Sequence, residues 1–251
     1  MGKSVGTRAG GMNGRAHWSV VLLATASGAV DALALTALGH VFAGVMTGNL
    51  VLLGVAAGAD GESGVPALVS LGGYATGTVL ATRLCRGGER TSHGLGLGAG
   101  PGPLGAGASG WPPRVMLCLY LETLALAGFA GVAGALSGHP EGMWRPLLLL
   151  AASGAMGAQS AAMLAGGSRT APSTYFTGTL TVFFARLAGR ERPVEWWSGA
   201  RLLAVAVGAA CAVGLRALAA PLAFALPAVA LAAALACQGS GPWRFRTPAA
   251  E

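Results

Sequence analysis

The sequence predicts an all-α fold, a polytopic membrane helix bundle, and three observations carry that prediction. Charged residues are only 10% of the 251-residue chain and hydrophobic ones 53%, with a mean hydropathy of +0.62. A soluble domain of this length carries about a quarter charged residues to keep its surface wet. The apolar residues come in runs of about twenty, the length a helix needs to cross a hydrocarbon core about 30 Å thick. All six tryptophans, Trp18, Trp111, Trp144, Trp196, Trp197 and Trp243, fall at or just beyond the ends of those runs, where an aromatic belt sits.

Along the chain, residues 1–16 form a basic cytoplasmic N-terminus with Lys3, Arg8 and Arg15. The first span is expected near 18–39. Ala24-Thr25-Ala26 has the small-x-small form of a signal-peptide cleavage site, but the apolar stretch continues to Leu38 and reads as a span. Gly6 stands where myristoylation needs Ser or Thr. Further spans are expected near 65–85, 115–137, 146–165, 195–216 and 218–238, the last kinked by Pro221 and Pro227. Two shorter apolar pieces, 42–59 and 173–189, either cross or re-enter. The Gly/Pro-rich stretch 86–113 reads as a flexible loop. Residues 17–137 and 138–240 form a first and a second membrane repeat, followed by a cytoplasmic tail, 241–251.

The net charge of +7 is a topology signal. Sixteen bases scattered between apolar runs cannot form the continuous basic face that phosphate binding requires, so nucleic acid is excluded as a partner. If both short pieces cross, Arg83, Arg86, Arg90, Arg114, Arg169 and Arg216 lie outside. If both re-enter, only Arg145 and Arg216 do, and the positive-inside rule prefers that arrangement.

An offset of about 130 pairs Gly28-Ala29-Val30-Asp31-Ala32 with Gly157-Ala158-Gln159-Ser160-Ala161, and Thr47-Gly48-Asn49-Leu50 with Thr177-Gly178-Thr179-Leu180. Arg83 and Arg216 each close the following span. With three full spans per half, the second half inserts upside down, an inverted 3+3 repeat. Each short piece then becomes an irregular descent, His40 to Met46 or Thr170 to Phe176, followed by a half-helix. Its N-terminus carries capping residues, Thr47/Asn49 or Thr177/Thr179, and points at the bilayer midplane.

At these residues the chain resembles the YoaK-like bacterial membrane family, domain of unknown function 1275. The matching features are Gly28-x-x-Asp31-Ala32, Phe42 through Met46-Thr47-Gly48-Asn49, Ala155-Met156-Gly157-x-Gln159, and Phe176-Thr177-Gly178-Thr179-Leu180. The family usually places Asn after the Gln, where this chain has Ser160. The resemblance implies a multi-pass protein of the bacterial inner membrane and supplies no activity.

Asp31, about 20 Å into its span, is by default a functional candidate, because an ionisable group in hydrocarbon costs several kcal/mol unless it faces a polar interior. Capping a broken helix or locking two helices is the alternative for it. Asp31, Thr47, Gly48, Asn49, Gln159, Ser160, Thr177, Gly178 and Thr179 are the expected lining of a site for a small polar or anionic solute. Asp31 and Glu122 are the candidates for proton coupling. His17, His40, His93 and His139 read as interface residues, and Cys85, Cys118, Cys211 and Cys237 as isolated structural cysteines, so no metal or cofactor is expected. The small-residue pairs Gly44/Gly48, Gly54/Gly58 and Gly73/Gly77 would permit close helix contact. No nucleophile elbow, P-loop or paired carboxylate occurs. The expected function is a permease or channel, not an enzyme, with the lipid bilayer and a solute as partners; a scaffold or regulatory protein is the alternative, and a homo-oligomer is compatible with either.

Overall fold

Eight α-helices and no strand form among the residues that the computed structural model describes, 14–58, 64–86, 111–166, 176–189 and 196–239. They are α1 (Gly14–Leu33), extended by a π-helical turn over Ala34–Leu38, α2 (Met46–Gly58), α3 (Gly64–Arg86), α4 (Pro113–Ala135), α5 (Trp144–Ala165), α6 (Phe176–Ala188), α7 (Trp196–Leu218) and α8 (Ala220–Gly239). Six of them, α1 with its π turn, α3, α4, α5, α7 and α8, are long and apolar enough to cross a membrane. Thirteen residues make α2 and α6 about 20 Å long, short of the hydrocarbon thickness.

Ala and Leu dominate these segments, and helix formation satisfies their backbone internally, as an apolar solvent demands. The hydroxyls follow the same logic: Ser19, Thr25, Thr36, Thr76, Thr123 and Ser160 each donate to the carbonyl four residues earlier. Of the two prolines expected to kink the last span, Pro221 sits in the first turn of α8, where no intrahelical N–H is needed. Only Pro227 lies inside the helix. The loop expected over 86–113 and the descent over Thr170 to Phe176 fall largely outside the described residues, as do Asp60, Glu62 and His93.

The helix ends define two faces. At one, His17 stacks on Trp197 with ring centroids 4.5 Å apart and Trp18 meets Trp197 edge-on at 5.7 Å, so α1 and α7 start together. Arg114 Nη1 donates to the Leu84 carbonyl, bringing the end of α3 to the start of α4. At the other face, Arg216 donates to the Thr36 carbonyl, Gly138 abuts Ala220 and Pro221, and Gly39 abuts Pro66. The end of α1 therefore meets the start of α3, and the chain between them has come back to the face it left. Within that excursion α2 begins with Asn49 beside Ser70 and ends with Ala56 beside Gly64, running back along α3 toward the face where α1 ends.

Two helix pairs hold the bundle together, α1 with α7 and α3 with α5. Both depend on glycine. A Cβ at Gly28 would overlap the Val205 carbonyl and one at Gly208 the Thr25 carbonyl. A Cβ at Gly157 would overlap the Tyr74 carbonyl and one at Gly77 the Gly154 carbonyl. Gly28 and Thr25 stand about 130 residues before Gly157 and Gly154, and Tyr74 and Gly77 about 130 residues before Val205 and Gly208, so the two contacts fall at positions of matching spacing. Besides these pairs, α1 packs on α8 and α5 on α4, α2 on α3 and α6 on α7, and α4 on α8. Of the three expected glycine pairs only Gly73/Gly77 makes such an approach between long helices. Gly54 and Gly58 have open space beside them, and Gly44 and Gly48 face their own chain's Asp31 and Phe42.

Candidate functional site

α1 stops because its last turn widens to a π turn and the next two residues leave the helical region, Gly39 with φ 151° and His40 with φ 59°. Residues 40–44 then run without helical hydrogen bonds, and their backbone groups need other partners in an apolar surrounding. Asp31 supplies the first. Its Oδ1 accepts from Ala43 N at 2.8 Å and from Gly44 N at 2.7 Å, so the carboxylate two turns before the break cradles the chain after it. Bonds from neutral amides to a carboxylate are the strong, charge-assisted kind.

Asn49 supplies the second. Its Oδ1 accepts from Phe42 N at 2.9 Å, and its Nδ2 donates to Phe42 O at 2.6 Å, pairing both backbone groups of one residue as a neighbouring strand would. The same Nδ2 donates to Ser70 Oγ at 2.9 Å. Ser70 in turn donates to Phe42 O at 2.6 Å and meets the Ser153 hydroxyl at 2.8 Å. Asn49, Ser70 and Ser153 are fully buried. Asn49, together with Ser70, thus ties the broken segment, α2, α3 and α5 into a single polar knot inside a largely apolar core. Ser70 and Ser153 carried no weight in the sequence. Their only signal there is a small hydroxyl within an apolar run, which back-bonding serines share.

The expected site residues are therefore only partly brought together. Asp31, Asn49 and the Ser153–Met156 stretch of α5 converge on the broken segment, with Gly44 against both Asp31 and the Met156 side chain. Gln159 is buried one turn further along α5 and donates from Nε2 to the Leu23 carbonyl at 3.4 Å. Ser160 Oγ is turned onto its own helix. Thr47 is exposed and Gly48 packs on the Phe42 ring. Gly178 is exposed with open space beside it and Thr179 is half-buried, both on α6, which packs chiefly on α7. The Thr177 side chain lies outside the described residues. The described part of the arrangement can hold a broken backbone open at depth and presents carboxylate and amide groups around it.

Glu122 stands apart. Buried in α4, it lines a groove of about 380 Å³ between α3, α4 and α5, and neither carboxylate oxygen has a hydrogen-bond partner among the described residues. Cys118, one turn earlier, lines the same groove. Arg201, counted in the sequence only as a base, is buried near the start of α7. Among the described residues no three His, Cys, Asp or Glu side chains come together as a metal site would need, and the four cysteines are free.

Six apolar helices of spanning length around a buried polar knot define a polytopic helical membrane protein. Its relationships agree. Residues 19–237 match the family described as "Protein of unknown function (DUF1275)", and the chain belongs to that family. It is 32% identical over 170 residues to the "UPF0700 transmembrane protein YoaK" of Bacillus subtilis (strain 168). That alignment covers 67% of this chain and 66% of the relative's length. No solved structure matches.

Proposed function

We propose that the protein is a permease or channel of the bacterial inner membrane for a small polar or anionic solute, built as an inverted 3+3 repeat with both termini cytoplasmic. The observation that carries this reading is the hairpin that follows α1. Its descending limb is unwound backbone held by Asp31 and Asn49, and its returning limb is a half-helix that starts beside buried Ser70 and Ser153. Unwound backbone at such depth is what discontinuous transporter helices use to meet solutes, and a helix N-terminus favours anions.

Two features support the inversion. Partner exchange between the halves is what two-fold pseudo-symmetry produces, and α1 and α5 run in opposite directions, α1 ending at the face where α5 begins. In the proposed orientation the face carrying Arg15, Arg83 and Arg114 is cytoplasmic and the one carrying Arg145 and Arg216 is external. The solute site is proposed to include Thr47, Gly48, Asn49, Gln159, Ser160, Thr177, Gly178 and Thr179, with Asp31 coupling protons, and we assign the protein no catalytic role. Flux into proteoliposomes tests it: Asp31→Asn should lower flux and flatten its pH dependence. A variant that transports like wild type at every pH would remove Asp31 from the mechanism.

A second reading has its own observation. Asp31 and Asn49 both bond to backbone, as they would in a non-transporting scaffold or regulatory partner. In that case Asn49→Ala and Thr177→Ala lower stability and change no solute binding.

A further inference from the structure

The Glu122 groove is separate from the Asp31 knot and differs from it in kind. Every described bond of Asp31 goes to backbone, whereas both oxygens of Glu122 are buried and without a partner. Glu122 lies nine residues into α4, about 13 Å from its start, and so below headgroup depth. Arg114, at the start of α4, is engaged at the Leu84 carbonyl, and Arg145 bonds the Pro140 carbonyl at the opposite face. Arg83 is exposed near the end of α3. No base therefore meets this carboxylate among the described residues.

The pseudo-symmetry gives no packing reason for an acid here. α8, which takes the place of α4 in the second half, carries no acidic or basic residue between Ala220 and Gly239. A buried ionised group without a partner is costly, so it marks a functional position more often than a structural one. Apart from Thr76, whose hydroxyl bonds its own helix, the groove is otherwise apolar, walled by Gly73, Gly77 and Ala155 and rimmed by the exposed Leu80, Leu121 and Leu150, so it opens sideways toward the bilayer core. Its volume falls within the range of small-molecule sites and exceeds the roughly 150 Å³ that admits benzene.

We propose that this groove is a binding site for a small lipophilic amine that enters from the bilayer, its protonated nitrogen donating to the Glu122 carboxylate and its hydrocarbon body filling the space between α3, α4 and α5. The depth of the carboxylate favours a free amine over a lipid headgroup. This site does not depend on the permease reading, because the amine is recognised on α4 and not at the broken helix.

The test uses a matched pair of probes, 1-aminoadamantane and 1-adamantanol, which share a shape and differ in charge. Binding of each is measured to the full chain in nanodiscs of phosphatidylcholine. Wild type should prefer the amine by about tenfold or more, the worth of one charge-assisted hydrogen bond. Glu122→Gln should bring the two affinities together without abolishing alcohol binding. Ala151→Phe, which fills the groove from α5 and leaves the carboxylate in place, should weaken both. Equal affinity of wild type for the two probes, or an amine preference that survives in Glu122→Gln, overturns the proposal. If Glu122→Gln does not fold, amine binding that Ala151→Phe leaves unchanged overturns it instead.

Discussion

At the scale of single residues, Asp31 and Asn49 bind the backbone of the same broken segment, yet substitutions should separate them. Asn49→Ala strands the N–H of Phe42, while its carbonyl keeps the bond from Ser70, and a stranded buried N–H costs about 1–3 kcal/mol. We expect a clear fall in the thermal unfolding midpoint in detergent, where an unchanged midpoint would show that the pairing contributes little. Asp31→Asn keeps an acceptor oxygen within reach of Ala43 and Gly44, whereas Asp31→Ala keeps none. The alanine variant should therefore be the less stable of the two, and the asparagine variant the one suited to flux measurements. Equal destabilisation would mean that the negative charge, and not the acceptor geometry, holds the segment.

At the scale of elements, glycine decides which helices touch. The backbones of α3 and α5 meet where Gly77 faces the Gly154 carbonyl, and no side chain fits between them. Gly77→Val should cost about 1–3 kcal/mol or more through overpacking, read as a lower unfolding midpoint or lost monodispersity on size exclusion. Gly131, exposed on α4 with open space beside it, is the control. Gly131→Ala should be neutral or gain up to about 1 kcal/mol from helix propensity. A Gly77→Val protein as stable as wild type would disprove the close approach. Composition could not single out Gly77, because glycine occurs 42 times in the chain. Spacing set Gly77 with Gly73 as one of three pairs, and Gly28 and Gly157, which it did not mark for contact, make equally close approaches.

At the scale of the whole molecule, the two arrangements weighed from charge differ in where the end of α1 and the start of α3 lie. Crossing by α2 would put them on opposite faces, yet Gly39 abuts Pro66. Single cysteines introduced by Asp60→Cys and Arg90→Cys, on a background without native cysteines, should react with a membrane-impermeant thiol reagent from opposite sides, Asp60→Cys from outside. Labelling of Arg90→Cys from outside would sink the re-entrant orientation and restore eight crossings.

The sequence by itself determined the helical class, the six long apolar helices and the presence of two shorter apolar pieces whose crossing it left open, because chain composition and run length are local properties that the bilayer reads directly. It also marked Asp31 as an ionisable group out of place and Asn49 as a capping residue at the start of a half-helix. Only the tertiary structure decided how those groups are used, because their partners are backbone atoms of a broken segment whose shape no local pattern encodes. The pairing of Ser70 with Ser153 and the lack of a hydrogen-bond partner for Glu122 among the described residues likewise depend on α3, α4 and α5 meeting across long stretches of chain. In an apolar solvent the cost of a polar atom is set by what lies within about 3 Å of it, and long-range packing alone supplies that neighbour.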